Sequence, residues 1–221
     1  MASFRTWDFN RFWKTLTFFE VIPVLSWVQT MFYASPSPSS PQPQTGVIFD
    51  FAQPGLQINQ IWGAVDDVVM GGVSTSGIRL EAGNAVFSGL VSTDNNGGFA
   101  SVRTRNFDPP LDLSGKLGVT LRVKGDGQRY KFLTRDDGGW DSVAFAYSFD
   151  TVKNQWITVR IPFDRLVPVM RAKTVKDGRS LDSSRIRALQ LMLSKFEYDG
   201  VLNPAFVAGE FRLEVAAIAC F

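Results

Sequence analysis

The stretch AVDDVVMGGVS, residues 64–74, places two adjacent carboxylates beside a pair of glycines. Such a pair can be a catalytic dyad, a metal site or part of a shaped turn. Neighbours on an extended segment point to opposite faces, so Asp66 and Asp67 cannot form a dyad. As calcium ligands they would need further oxygens, and the three apolar residues that follow offer only backbone carbonyls. Gly71 and Gly72 suit a tight turn with positive φ. The stretch therefore predicts a shaped turn.

The composition excludes several kinds of reacting centre. The chain has no histidine and one cysteine, Cys220, which lies in an apolar run. Imidazole catalysis, histidine-containing zinc sites, an internal disulfide and a thiolate metal cage are thereby excluded. Neither phosphate-binding glycine motif occurs. We expect no catalysis, cofactor, metal or small-molecule substrate, although an enzyme that works with carboxylates alone stays an alternative. A net charge of +2 over 221 residues does not favour nucleic acid as the partner.

Residues 1–34 form an aromatic N-terminal segment that begins with a predicted helix. Thr6 is its expected N-cap, and Asp8 and Arg11 can pair across one turn. Its apolar side chains recur at the spacing of one helix face. Beyond Glu20 the segment is apolar nearly all round. The residues that we expect to contact a membrane or a partner are Phe9, Phe12, Trp13, Leu16, Phe19 and Trp27.

The uncharged part of this segment is too short to cross a bilayer. Its uncharged part, residues 21–34, would extend about 21 Å as a helix, against roughly 30 Å of hydrocarbon. We favour contact with a membrane surface or a membrane protein over docking on the protein's own domain. Residues 35–46, with four prolines and no large apolar side chain, predict an extended linker that would hold the helix away from the domain.

Residues 47–221 have the pattern of an all-β domain. Leu117, Val119, Leu121 and Val123 alternate with polar residues before the glycine-rich turn of KGDGQRY, and this pattern predicts a hairpin. RDDGGWD predicts a second hairpin turn. Further alternating runs are DSVAFAYSFD, QWITVRIPF, ALQLMLSKF and FRLEVAAIACF. Short antiparallel strands at this spacing predict a β-sandwich of the jelly-roll type.

Two other features are candidate binding surfaces. Trp140 follows two glycines and either offers a stacking platform for a sugar or caps the end of the sandwich; we favour the cap. Residues 164–187 hold seven basic and three acidic residues. They either form a solvated loop or bind anionic lipid, an acidic protein surface or RNA. Their leading basic residues are Arg171, Lys173 and Lys176.

Ordered sequence blocks over most of residues 47–221 resemble the complex I intermediate-associated protein (thirty-kilodalton) family. They are Trp62 with DDVVMGGVS, AVFSGLV at 85–91, GGFASVRTR at 97–105, LRVKGDGQRY at 121–130 and WITVRIPF at 156–163. The resemblance implies a galactose-binding-like β-sandwich in a non-catalytic assembly factor, or chaperone, for complex I. Related domains serve the biogenesis of photosynthetic complexes. Because an Arg-rich presequence is absent, the chain looks like a bacterial, cyanobacterial-type member.

The resemblance implies partners among the subunits of a membrane-bound electron-transfer complex, respiratory or photosynthetic. It places the protein at the cytoplasmic side of a membrane, with the thylakoid as one candidate. The alternative is a carbohydrate-binding module of the same fold. The candidate partner or ligand surface comprises Trp62, Asp66, Asp67, Gly71, Gly72, Ser74, Arg122, Arg129, Trp140, Arg171, Lys173 and Lys176.

Overall fold

A computed structural model describes residues 8–19, 21 and 46–221 of the chain. Within them, two antiparallel sheets pack face to face, as the sequence predicts. The helices are α1 (Phe9–Phe18) and the short α2 (Ile58–Ile61). The strands are β1 (Val47–Asp50), β2 (Trp62–Ala64), β3 (Thr75–Glu81), β4 (Asn84–Val91), β5 (Phe99–Thr104), β6 (Gly118–Lys124), β7 (Arg129–Arg135), β8 (Ala144–Asp150), β9 (Trp156–Pro162), β10 (Val167–Met170), β11 (Lys173–Thr174), β12 (Ala188–Ser194) and β13 (Gly209–Cys220).

One sheet has six strands in the order β3-β4-β13-β6-β9, with β1 also paired to β13. The other has seven strands in the order β11-β10-β8-β7-β12-β5-β2. The core lies between the sheets, because the alternation in each strand turns every second side chain inward. Phe87 and Leu213 of the first sheet and Tyr130 and Leu191 of the second are buried there.

The predicted alternation in β6 is confirmed for three of its four residues. Val119, Leu121 and Val123 are buried, whereas Leu117 precedes the strand and is 72% exposed. The hairpin prediction for KGDGQRY is wrong. β6 pairs with β9 and β13, and β7 pairs with β8 and β12, so this turn carries the chain from one sheet to the other. Alternation predicts strands on both sides of a turn but not which strands pair.

The second predicted hairpin is confirmed, because β7 and β8 pair on either side of RDDGGWD. The seven-stranded sheet is also covered on its outer face. Leu133, Ala144, Ala146 and Val169 form a second apolar cluster there, separate from the main core. This double coverage explains why small residues of β8 are as buried as their large neighbours.

Helix α1 begins at Phe9, and its N-cap is Asp8, whose carboxylate accepts a hydrogen bond from the Arg11 backbone N–H at 3.1 Å. The prediction of Thr6 as the N-cap is therefore wrong. None of the described helices has the length and hydropathy needed to cross a membrane. Trp27 and all but the last residue of the predicted linker lie outside the described residues.

Candidate functional site

The carboxylate of Asp67 ties three segments of the chain together. Asp67 opens a 3-10 turn, Asp67–Met70, and its side chain is fully buried. Oδ1 accepts a hydrogen bond from the Ser74 N–H at 2.9 Å, and Oδ2 accepts bonds from the Ser74 hydroxyl at 2.6 Å and the Gly98 N–H at 2.8 Å. The Phe99 N–H adds a longer bond of 3.3 Å to Oδ2. Asp67 thus holds the turn against the starts of β3 and β5.

Glycines make room for this carboxylate. A Cβ atom on Gly72 would overlap the Asp67 side chain, and one on Gly97 would lie 2.5 Å from Asp67 Oδ2. Gly71 ends the turn with φ at +90°, as the sequence predicts. The two glycines therefore have different roles. Gly71 adopts the left-handed backbone conformation, and Gly72 allows the Asp67 side chain to approach the backbone closely.

Asp66 serves a different set of donors. Its Oδ1 accepts bonds from the Ser76 hydroxyl and from the Ser101 N–H at 3.1 Å, and its Oδ2 accepts from the Ser76 N–H at 2.9 Å. Arg11 completes the set with a bond of 2.7 Å to Oδ2. Burial raises the pKa of Asp66, and the Ser76 hydroxyl and the Arg11 charge oppose that rise. The predicted side-chain pair between Asp8 and Arg11 is replaced by this longer-range one.

The two carboxylates accept their hydrogen bonds from different donors. The expectation that this stretch offers its side chains to a partner is wrong in one respect. Trp62, Asp66, Asp67 and Ser74 are each at most 2% exposed, and their polar groups are directed inward to the chain. In the described part of the chain, no three acidic or sulfur side chains converge as ligands for a metal ion.

Helix α1 docks on this same turn. Arg11 donates to the Ser74 carbonyl at 2.7 Å, and Thr15 donates to the Ala64 carbonyl at 3.3 Å. The Phe18 ring lies over Gly63, where a Cβ atom would stand 2.5 Å from the ring. The guanidinium carbon of Arg105 lies 4.3 Å from the centre of the Phe18 ring. The described part of the segment therefore packs on the protein's own domain, which is the less favoured of the two alternatives that the sequence left open.

The docked side of α1 is rotated away from the apolar face that the sequence predicts. Thr15 is the buried residue of the helix, whereas Phe9 and Trp13 remain 58% and 41% exposed. Their rings stack at 6.1 Å with an angle of 12° between their planes. Phe12 and Leu16 lie between the two sides and are half-buried. The helix thus presents an aromatic pair to solvent.

Trp140 neither stands free nor caps an end of the sandwich. It lies over Arg103 of β5, whose guanidinium is 4.4 Å from the centre of the Trp140 ring and 4.5 Å from that of Phe19. The two rings are 5.4 Å apart. Arg103 also donates a hydrogen bond of 3.3 Å to the Trp140 carbonyl. Trp140 therefore covers a buried cation at the end of α1.

The other predicted residues are not brought to the turn. Arg122 is exposed on the six-stranded sheet and bonds to Thr158 at 3.4 Å. Arg129 pairs on the other sheet with Asp150 at 2.7 Å and Glu197 at 2.8 Å.

The basic residues Arg171, Lys173 and Lys176 are exposed around the β10–β11 hairpin, at the opposite edge of the seven-stranded sheet from β2. Arg171 pairs there with Asp141. The predicted set thus separates into distinct regions, and whether any of them binds a partner stays a prediction.

Sequence reasoning missed Arg103 and Arg135, which are outward-facing residues of β5 and β7. A cation at such a position normally lies in solvent, so nothing in the local pattern singles it out. Arg103 is covered by Trp140 of the loop 136–143 and by Phe19 at the end of α1, whereas Arg135 bonds to Gln190 of the neighbouring strand.

This architecture defines a class, the β-sandwich of two antiparallel sheets. The chain is similar in fold to the family 11 carbohydrate-binding module of a cellulosomal cellulase of Clostridium thermocellum, with a TM-score of 0.55, 18% identity, and coverage of 78% of this chain and 92% of that one. The same type of module in complex with a mixed-linked tetrasaccharide gives a TM-score of 0.53, 18% identity, and coverage of 79% and 94%.

Residues 49–215 match the family of Complex I intermediate-associated protein 30, and the chain belongs to that family. The family is associated with complex I assembly. A protein of Schizosaccharomyces pombe, described as uncharacterized, is 30% identical over 175 residues, which are 69% of this chain and 80% of the yeast protein. The family match includes both carboxylates and the glycine pair of the turn.

Proposed function

We propose that this protein is a non-catalytic assembly factor that binds subunits or intermediates of a membrane-bound electron-transfer complex, respiratory or photosynthetic. The observation that carries the proposal is the family match over residues 49–215. The geometry of the turn supports it, because the carboxylates of Asp66 and Asp67 are occupied by donors of the protein itself. Carboxylate oxygens that accept these hydrogen bonds connect segments of the chain, and they are poorly placed to transfer a proton to or from a substrate.

We further propose that the outer side of α1 meets the client. Phe9 and Trp13 form an exposed aromatic pair on a helix whose other side is fastened to the domain by Arg11 and Thr15. Exposed aromatic side chains on a rigid support are the residues that dominate binding energy in protein interfaces. Such a pair also suits the headgroup region of a bilayer. Under this proposal the protein is peripheral to the cytoplasmic side of a membrane, with the thylakoid membrane as one candidate.

The test is a pull-down from detergent-solubilised membranes with the tagged full chain. The double variant Phe9→Ser and Trp13→Ser is compared with Leu117→Ser. This control removes another exposed apolar side chain, 72% exposed, from the residue that precedes β6. We expect the unaltered chain and Leu117→Ser to recover subunits of incomplete complexes. The double variant should recover at most about one tenth as much of these subunits, because two apolar side chains of the contact are lost.

The two parts of the proposal fail separately. Equal recovery by the double variant and the unaltered chain would remove α1 as the contact and leave the assembly function standing. Recovery of no complex subunits by the unaltered chain would remove the assembly function itself.

Carbohydrate binding is the second candidate. A shared fold at 18% identity does not transfer a ligand, so the observation that favours this function is the half-buried ring of Trp140 on the outer face of the seven-stranded sheet. A glycan array with the full chain tests it, with Trp140→Ala as the variant and Trp156→Ala, on the other sheet, as the control. Binding that is lost only in Trp140→Ala would support this function, and an array without hits would remove it.

A further inference from the structure

Two cations lie close together on the outer face of the seven-stranded sheet. Arg103 is on β5 and Arg135 is on β7, on either side of β12. The register places Arg103 directly opposite Gln190 of β12, and Arg135 opposite Ala188. Arg135 donates a hydrogen bond of 2.8 Å to Oε1 of Gln190, which in turn donates to the Ser101 hydroxyl at 2.9 Å. Gln190 therefore lies on the strand between the two arginines and bonds directly to the guanidinium group of Arg135.

The hydrogen-bonding capacity of this pair is not used up. The Nε atoms of Arg103 and Arg135 are both buried, and neither has a hydrogen-bond partner among the described residues. Arg103 is only 5% exposed, yet no ion pair joins it to a carboxylate in the described ranges. Asp141 acts on Arg135, but its carboxylate is engaged with Arg171. Buried guanidinium donors without partners are rare, because their desolvation is not recovered.

The pKa shifts of the two arginines also indicate that their charges lack sufficient partners. Burial lowers the pKa of Arg103 to about 9, with the charge of Arg135 as a further cause. Burial lowers the pKa of Arg135 to about 10, and Asp141 opposes this only in part. Both guanidinium groups are therefore held in surroundings that disfavour their charge. A negative group bound between them would reverse that penalty and receive charge-assisted hydrogen bonds.

We propose that Arg103, Arg135 and Gln190 form a binding site for an oxyanion, a carboxylate or a phosphate group, on the outer face of the seven-stranded sheet. Arg135 is half-buried and forms the side of the site that solvent reaches, while Trp140 and Phe19 cover Arg103. The planar guanidinium fork matches the paired oxygens of both groups. This site goes beyond the assembly function and does not depend on it.

The test measures thermal unfolding and titration calorimetry of the full chain with inorganic phosphate or acetate, each up to about 50 mM, against sodium chloride of equal ionic strength. The variants are Arg103→Met and Arg135→Met, with Arg122→Met as the control, since Arg122 is exposed on the other sheet. We expect at least one oxyanion to raise the midpoint of unfolding of the unaltered chain and of Arg122→Met. The rise should vanish in both other variants, with affinity weakened at least about tenfold.

The two probes identify the source of the oxyanion. A preference for phosphate indicates a phosphate ester, and a preference for acetate indicates a carboxylate. Circular dichroism establishes that each variant is folded, and Arg135→Lys, which retains the charge without the fork, should bind more weakly than the unaltered chain. A midpoint that moves no more with either oxyanion than with chloride, or that moves equally in Arg135→Met, would overturn the proposal.

Discussion

The turn around Asp66 and Asp67 and the pair Arg103 and Arg135 both bury charge, and they differ in how that charge is paired. At the turn, backbone N–H groups, serine hydroxyls and Arg11 occupy the carboxylate oxygens. At the arginine pair, two Nε donors have no partner in the described chain. A buried charge with a full set of partners organises a fold, whereas one without them costs stability until something binds it. The first region is therefore structural, and the second is where we place a ligand.

The largest effect is expected for Asp67→Asn. In either orientation, the amide would direct its NH₂ at donor groups of the chain and leave at least one buried N–H without an acceptor. We expect the free energy of unfolding to fall by about 3 kcal/mol. Urea unfolding measures it, with Asp94→Asn, at an exposed carboxylate nearby, as the control that should change little. A small loss at Asp67 would show that the turn does not depend on its carboxylate.

A smaller loss is expected for Gly72→Ala. The added methyl group would overlap the Asp67 side chain and push the carboxylate from its donors. Overpacking of this kind costs about 2 kcal/mol. Gly77→Ala is the matched control, because a Cβ at that position meets nothing within 4 Å. If both variants unfold at the same urea concentration, Gly72 has no role in admitting the carboxylate.

Arg11→Met tests the link between α1 and the turn. Arg11 is partly exposed, with 25% of its side-chain surface accessible, so solvent screens the pair and we expect a loss of about 1 kcal/mol at neutral pH. Burial raises the pKa of Asp66 above its ordinary value of 3.8, and Arg11 opposes that rise. Removing Arg11 should therefore raise the pKa further.

The sign of the pH dependence follows from this shift. A carboxyl whose pKa is raised in the folded protein holds its proton more tightly there than in the unfolded chain. Its contribution to stability is then lost as the pH rises from 3.8 through the raised folded pKa. The deficit of Arg11→Met relative to the unaltered chain should therefore grow as the pH rises through the raised folded pKa of Asp66. Lys14→Met, on an exposed part of α1, should show no such growth. A deficit that is constant with pH would mean that Arg11 acts by packing alone.

The smallest effect is expected for Arg103→Met without an added oxyanion. The variant loses contacts with the rings of Phe19 and Trp140 but also removes a buried, incompletely bonded charge. These changes oppose each other, so stability should stay within about 1 kcal/mol of the unaltered chain in urea unfolding. A loss as large as that of Asp67→Asn would place the two regions in the same structural class.

The strand pattern and the turn were within reach of sequence reasoning because both depend on local chemistry. Val119, Leu121 and Val123 alternate with polar residues, and a period of two assigns them to the core wherever the strand pairs. Gly71 was recognisable as a left-handed position next to apolar residues. The separate roles of Asp66 and Asp67 followed from their adjacency, although their full burial did not.

The sequence by itself determined that this chain builds an antiparallel β-sandwich with a shaped turn within residues 64–74, and its blocks identified the family. Only the tertiary structure decided three things: that KGDGQRY joins two sheets, that α1 lies on the turn through Arg11, and that Arg103 and Arg135 are covered on an outer face. The physical reason is the range of the interactions. Alternation and backbone preference act between near neighbours, whereas strand pairing and the burial of an outward side chain depend on segments far along the chain.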